Sequence, residues 1–186
     1  GTGDHLKNEL NSETMKPYAS GTLIGTVSNT PKITKGGHVF FTINSKNNEF
    51  WCAVYKETGM STIASNLIIG DKISVGGGVR KASKNFPRII NLEFIKIISL
   101  KKNLSQTNPI CKKCKKKMKS KGRNQGFQCI KCGAKNLKKT SLEIPRQIKK
   151  QLYIPKISAH RHLTRPLQRT GKTNKTSKFD ASQSWF

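Results

Sequence analysis

Cys111-x2-Cys114 and Cys129-x2-Cys132 lie inside the most basic stretch of the chain, and no other feature restricts so tightly what that stretch can fold into. The thiolates of one CxxC turn converge on a tetrahedral metal, and a second pair closes a four-sulfur shell with no open position for chemistry. The 14 residues between the pairs fall just below the usual gap of about 15–20. Gly133, next to Cys132, can supply the positive φ that turns backbone amides toward sulfur. A structural zinc ribbon with Cys111, Cys114, Cys129 and Cys132 as ligands is therefore expected. A disulfide framework is the alternative, but five cysteines is an odd number and no hydrophobic signal stretch is seen. A reducing, cytoplasmic setting follows. The fifth cysteine, Cys52, sits in a strand-like run and reads as a small buried apolar residue.

Charge points to the partner. Residues 1–99 hold 12 Lys/Arg against 7 Asp/Glu, whereas residues 100–186 hold 24 against 2. Solubility needs a net charge of only about 2–8. So one-sided an excess repels itself in the folded state and favours a polyanion. No apolar run approaches the ~20 residues of a membrane span, and no amphipathic helix with an aromatic face stands out, so nucleic acid is expected and membrane is not.

The 34% apolar content is too low for one core using all 186 residues. Residues 1–19 read as polar, the end of a preceding domain with a linker, and the opening lacks an initiator methionine, so a fragment or processed chain is expected. Over 20–100 the pattern turns to β, with strands at 22–28, 38–45, 49–55, 72–79 and 89–99. Met60, Ile63, Ala64 and Leu67 recur at helical spacing between the third and fourth. Three strands, a helix and two strands is the order of an OB-fold, a five-stranded Greek-key barrel whose central face and adjoining loops commonly bind oligonucleotides. Here those loops carry Lys32 and Lys35, and Lys81, Lys84 and Phe86. Alternation sets Phe40, Trp51 and Tyr55 opposite the core positions, as candidates for base stacking or for packing under a neighbour. Gly76-Gly77-Gly78 precedes no helix and reads as a strand bend rather than a phosphate cradle.

Residues 101–109 read as a linker and 110–135 as the ribbon, with Lys113, Lys115, Lys116, Lys119, Lys121 and Arg123 among its cations and Phe127 over the metal. In the basic segment 136–169 a short helix is expected over 145–153. Arg161, His162, Arg165 and Arg169 invite a phosphate-binding reading. Residues 170–186 have the composition of a disordered tail. The expected architecture is mainly β: an OB barrel with one short helix, a small zinc ribbon and a basic tail.

Several motifs carry a specific resemblance. They are Gly25-Thr-Val-Ser-Asn-Thr-Pro31, Gly36-Gly-His-Val-Phe-Phe41, and Gly70-Asp71 through Gly77-Gly-Val-Arg80. The ribbon adds Met118-Lys-Ser120, Gly122 and Gln125-Gly-Phe127, and the string from Ala159 through His-Arg-His-Leu-Thr-Arg-Pro-Leu-Gln to Arg169 follows. In this order they resemble archaeal agmatinylcytidine synthetase, over roughly residues 1–6 and 20–169. The resemblance implies an ATP-dependent, ligase-type enzyme that attaches agmatine to the wobble cytidine of the isoleucine tRNA with a CAU anticodon. By that resemblance this chain is the C-terminal, tRNA-holding half. ATP and agmatine belong to N-terminal domains not in this chain, and Thr2, Asp4 and His5 are a possible edge of the parent active site. The nine acidic residues show no evident pairing and there is no P-loop, which agrees with a non-catalytic piece. The alternatives from residues alone are a stand-alone single-strand-binding OB and ribbon module, or a structural RNA-packing protein.

Overall fold

The computed structural model describes residues 3–84 and 86–169. Thr2 and the expected tail at 170–186 lie outside the described residues. Buried positions alternate along β1 (Ser20–Val27), and core residues recur two apart within β3 (Val39–Ser45), β4 (Asn48–Val54), β5 (Lys72–Arg80) and β6 (Ile89–Ser99), so each presents one face inward. These five strands close on themselves. Strand β1 pairs with β5, β5 with β6, β6 in parallel with β4, β4 with β3, and β3 back with β1. That circuit is the expected OB barrel, and a two-residue strand β2 (Lys32–Ile33) extends it beside β3.

The expected helix shrinks to α1 (Ser61–Ser65), preceded by a 3-10 turn at Lys56–Thr58. Gly59 and Gly70, at φ 74° and 95°, bracket the segment and limit its length. Met60, Ala64 and Leu67 still reach the core as the periodicity predicted. The glycine triplet is indeed a bend: the β5–β6 register shifts between Gly76 and Gly77. A Cβ on Gly76 would collide with the Phe94 ring, and one on Gly77 with the Asn91 carbonyl.

Three expectations need correction. The opening residues are part of the barrel. Leu10 and Met15 join its core, and Leu10 N donates to Thr22 O at 2.8 Å alongside β1. Residues 101–109 are not merely a linker, since β7 (Leu104–Thr107) pairs there with β11 (Thr140–Glu143). No helix forms over 145–153. Instead Arg146 and Ile148 are drawn into the barrel and β12 (Leu152–Tyr153) adds to the edge of β6. Pro145 and the scattered apolar positions give that segment no helical face, whereas β6 still has pairing capacity at Ile95 and Lys96.

Asp71 shows why the chain returns. It is fully buried, and both its oxygens accept bonds from Arg146 at 2.6 Å and from the amides of Ile68 and Lys101 at 2.9 Å. The ribbon thus leaves the barrel after β6 and comes back before Arg146, carried on the β7–β11 stem. It contains β8 (Lys119–Ser120), β9 (Phe127–Gln128) and β10 (Lys135–Asn136), paired in the order β10-β9-β8.

Candidate nucleic-acid interface and metal centre

The two CxxC turns fold alike. Cys111 N donates to Lys116 O at 2.8 Å and Lys115 N to Cys111 O at 2.9 Å; Cys129 N donates to Ala134 O and Gly133 N to Cys129 O, both at 2.8 Å. Each knuckle needs positive φ just after its second cysteine, supplied by Gly133 at 71°, as expected, and by Lys115 at 55°. The four Sγ atoms lie within 4.8 Å of one another. Tetrahedral Zn–S bonds of about 2.3 Å would set sulfurs about 3.8 Å apart, so the donor set fits zinc. The Cys111 thiol is lowered to about 7, chiefly by the Cys114 backbone amide, while Cys114 is pushed up to about 12, chiefly by its hydrogen bond to Cys132. Phe127 and Met118 pack with Cys111 and Cys129, which puts Phe127 against the metal site as predicted. Cys52 is buried in the barrel core, and burial pushes its thiol up, so it has no part in this chemistry.

Lys113, Lys115, Lys116, Lys119, Lys121 and Arg123 are all exposed. Residues 110–135 carry 10 Lys/Arg and no Asp/Glu. Among the described residues none of these cations has an ion-pair partner.

On the barrel, Val39, Phe41 and Ile43 fill the core and Phe40 faces out. Sheet register places Lys32, Phe40, Ala53 and Asn91 side by side across four strands, with Gly78 beyond. The next row holds Thr42, Trp51, Ile89 and Arg80. Phe40, Trp51 and Tyr55 are half-buried on this outer face, and the Tyr55 hydroxyl reaches Asn91 Oδ1 at 3.4 Å. Thr42 is sealed by a polar knot: its hydroxyl meets Ser28 Oγ at 2.6 Å and donates to Glu49 at 2.9 Å, and its amide donates to Asn29 at 2.8 Å. That knot fixes the root of the loop bearing Lys32 and Lys35, both exposed; Lys81 and Lys84 are exposed on the β5–β6 loop.

An open cleft of about 690 Å³ continues this face, lined by Tyr18, Gly78, Arg80, Asn91, Glu93 and Arg161 among others. Arg161 therefore reaches the barrel face, but Glu93 Oε1 accepts its guanidinium at 3.3 Å, so part of its charge is satisfied inside the protein. His5 meets the other Glu93 oxygen at 2.8 Å, and Gly3 N donates to Leu163 O at 2.8 Å. These contacts bind the two ends of the described chain together. Asp4 pairs with Lys7. His162, Arg165 and Arg169 are exposed, with Arg165 at a separate cavity of about 360 Å³ that Lys96 also lines. Sequence reasoning missed Arg80, whose only signal was a cation at a strand end, and the Asp71–Arg146 pair, which no local pattern marks.

A family described as the TiaS C-terminal zinc ribbon domain matches residues 108–148. The isoleucine-tRNA 2-agmatinylcytidine synthetase TiaS of Cenarchaeum symbiosum is 45% identical over 186 residues, covering 100% of this chain and 42% of that protein. Its counterpart from Methanosarcina mazei is 37% identical over 171 residues, covering 91% and 39%. The chain belongs to the agmatinylcytidine synthetase family. It spans about two fifths of the length of these relatives. Among solved structures, apo TiaS matches with a TM-score of 0.70 and 34% identity over 88% of this chain and 39% of that one. The complex of TiaS with an isoleucine tRNA and ATP matches at 0.72 and 33%, over 90% and 39%. No helix among the described residues is long and apolar enough to cross a membrane.

Proposed function

We propose that this chain is the C-terminal, tRNA-holding part of a cytoplasmic agmatinylcytidine synthetase. The whole enzyme uses ATP to conjugate agmatine to the wobble cytidine of the CAU-anticodon isoleucine tRNA. The observation that carries the proposal is the in-register row of Lys32, Phe40, Ala53 and Asn91 on an outward barrel face. Phe40 beside Lys32, with Trp51 and Tyr55 on the same face and exposed lysines on the adjoining loops, suits a single strand: rings stack on unpaired bases while lysines meet phosphates. The ribbon adds a second cationic surface whose contacts position a backbone without reading bases. His5 is engaged by the barrel's Glu93 and Asp4 by its near neighbour Lys7, which supports a reading in which this chain holds substrate and the ligation chemistry belongs to the part of the relatives that it does not span.

The test is a competition titration of the zinc-loaded chain at near-physiological salt. Labelled CAU-anticodon isoleucine tRNA is displaced by elongator methionine tRNA, by a tRNA with another anticodon, and by single-stranded DNA of equal length. Preference for the isoleucine tRNA, or for tRNAs as a class over DNA, supports the reading. DNA displacing best would favour a single-strand-binding module instead. Lys116→Ala should weaken all nucleic acids alike and reduce the salt slope by about one.

A further inference from the structure

Phe86 lies in the β5–β6 loop and is 51% exposed, yet its ring is held within 17° of parallel to that of Phe40, with centroids 6.4 Å apart. Offset-stacked rings have centroids about 4.5–7 Å apart, so this pair sits at the loose end of that range. The other aromatic contact of this face differs: His38 meets Tyr55 edge-on at 70° and 5.2 Å. Stacked nucleic-acid bases repeat about every 3.4 Å, so a base held between two rings separates them by about 6.8 Å. The 6.4 Å between centroids belongs to an offset contact rather than to an open gap of that width, so Phe86 must swing away from Phe40 to admit a base.

We propose that Phe86 and Phe40 form a clamp that takes one unpaired nucleobase of a bound RNA between their rings. Phe40 is the fixed jaw, in a strand paired on both sides, with Lys32 as its register partner on β2 and Ala53 on β4. Phe86 is the adjustable jaw. Ser83 N donates to its carbonyl at 2.9 Å and its own amide reaches Ser83 O at 3.3 Å, a narrow loop that holds the ring over the sheet without burying it. Lys32 and Lys84 flank the slot and are exposed, as a base with phosphates on either side requires. A base already stacked in a duplex cannot enter, so the slot selects unpaired nucleotides whatever their sequence. The inference rests on the nucleic-acid reading above and sharpens it by adding Phe86, which alternation alone could not place because it lies outside the strands.

The experiment uses the full zinc-loaded chain with two RNAs of equal length, a hairpin carrying 2-aminopurine in its unpaired loop and a blunt duplex. The native chain should quench the loop fluorophore. Phe86→Ala should lose that quenching and bind the hairpin about tenfold more weakly, with duplex affinity unchanged. Phe86→Trp should restore both. If Phe86→Ala quenches and binds the hairpin as the native chain does, the clamp is overturned while the nucleic-acid reading stands. If the native chain binds neither RNA, both fall together. Equal weakening of hairpin and duplex would overturn the clamp in favour of a general loop contribution.

Discussion

Twenty-one buried residues, from Leu10 to Ile148, share one core in the barrel, whereas the ribbon buries four, two of them cysteines of the metal site. The ribbon's three strands are two residues long each. A unit so small cannot bury enough apolar surface to offset its chain entropy and needs a metal or a crosslink. The same comparison explains the charge. A four-thiolate zinc site carries a formal charge of about −2, which offsets part of the mutual repulsion of the lysines around it. The barrel turns two of its acids to internal use, with Asp71 and Glu93 buried and paired with Arg146, His5 and Arg161. One unit can therefore present an unbroken cationic surface because its fold does not depend on that surface.

Removing the metal breaks the comparison most sharply. Chelation, or Cys114→Ser, should cost the ribbon its entire zinc-dependent folding energy, on the order of 10 kcal/mol. Amide dispersion should collapse for residues of the ribbon while barrel amides keep their shifts, and nucleic-acid affinity should fall. Loss of the barrel signals too would show that the stem couples the units into one cooperative fold.

Arg146→Met tests the barrel from the other side. Its guanidinium is 10% exposed and Asp71 is 0% exposed, so the variant strands a buried carboxylate and should destabilise the barrel by about 3–5 kcal/mol in urea denaturation. Zinc content and ribbon shifts should not change. A small loss would mean that the returning segment is anchored by Ile148 and β12 instead.

That residue also marks where sequence reasoning stopped. The barrel was legible because its strands are runs rich in Val, Ile, Phe and Thr bounded by turn residues and its helix region repeats at helical spacing, signals local to each element. The zinc site was legible because its spacing is itself the geometry. Arg146 lies 75 residues from Asp71, and nothing near either predicts the other. The stem strands escaped for a related reason: β11 is exposed throughout and so has no alternation to read. Phe40, Trp51 and Tyr55 were placed on the outer face correctly, but Phe86 and Arg161 join them through loops and a chain return.

The two knuckles invite a subtler test. Gly133 takes positive φ without cost, while Lys115 holds the matching position at φ 55° with a side chain. An L residue there is strained by about 1–2 kcal/mol. Lys115→Gly should relieve much of this and raise the ribbon's resistance to chelator by about 1 kcal/mol, while lowering the salt slope of RNA binding by about one. Gain in stability with loss of binding would show that the lysine is kept for its charge. No loss of binding would take this knuckle out of the interface.

The smallest effect belongs to Glu9 and Lys46, an exposed pair at 2.8 Å joining the opening segment to the β3–β4 hairpin. The hydrogen bond and charge of Lys46 lower the Glu9 carboxyl from its ordinary 4.5, and Glu9 raises Lys46 above 10.5. A lowered carboxyl contributes stability above its unfolded pKa and loses it as pH falls through the folded value. The raised lysine contributes below 10.5 and loses it as pH rises through its folded value. The pair should therefore act only between these limits, weakly, and less at high salt. Glu9→Gln should shift the urea midpoint slightly at neutral pH and not at all in acid. A neutral-pH loss rivalling that of Arg146→Met would mean that this ion pair, rather than buried Leu10 and its backbone bond to Thr22, fastens the opening residues to the barrel.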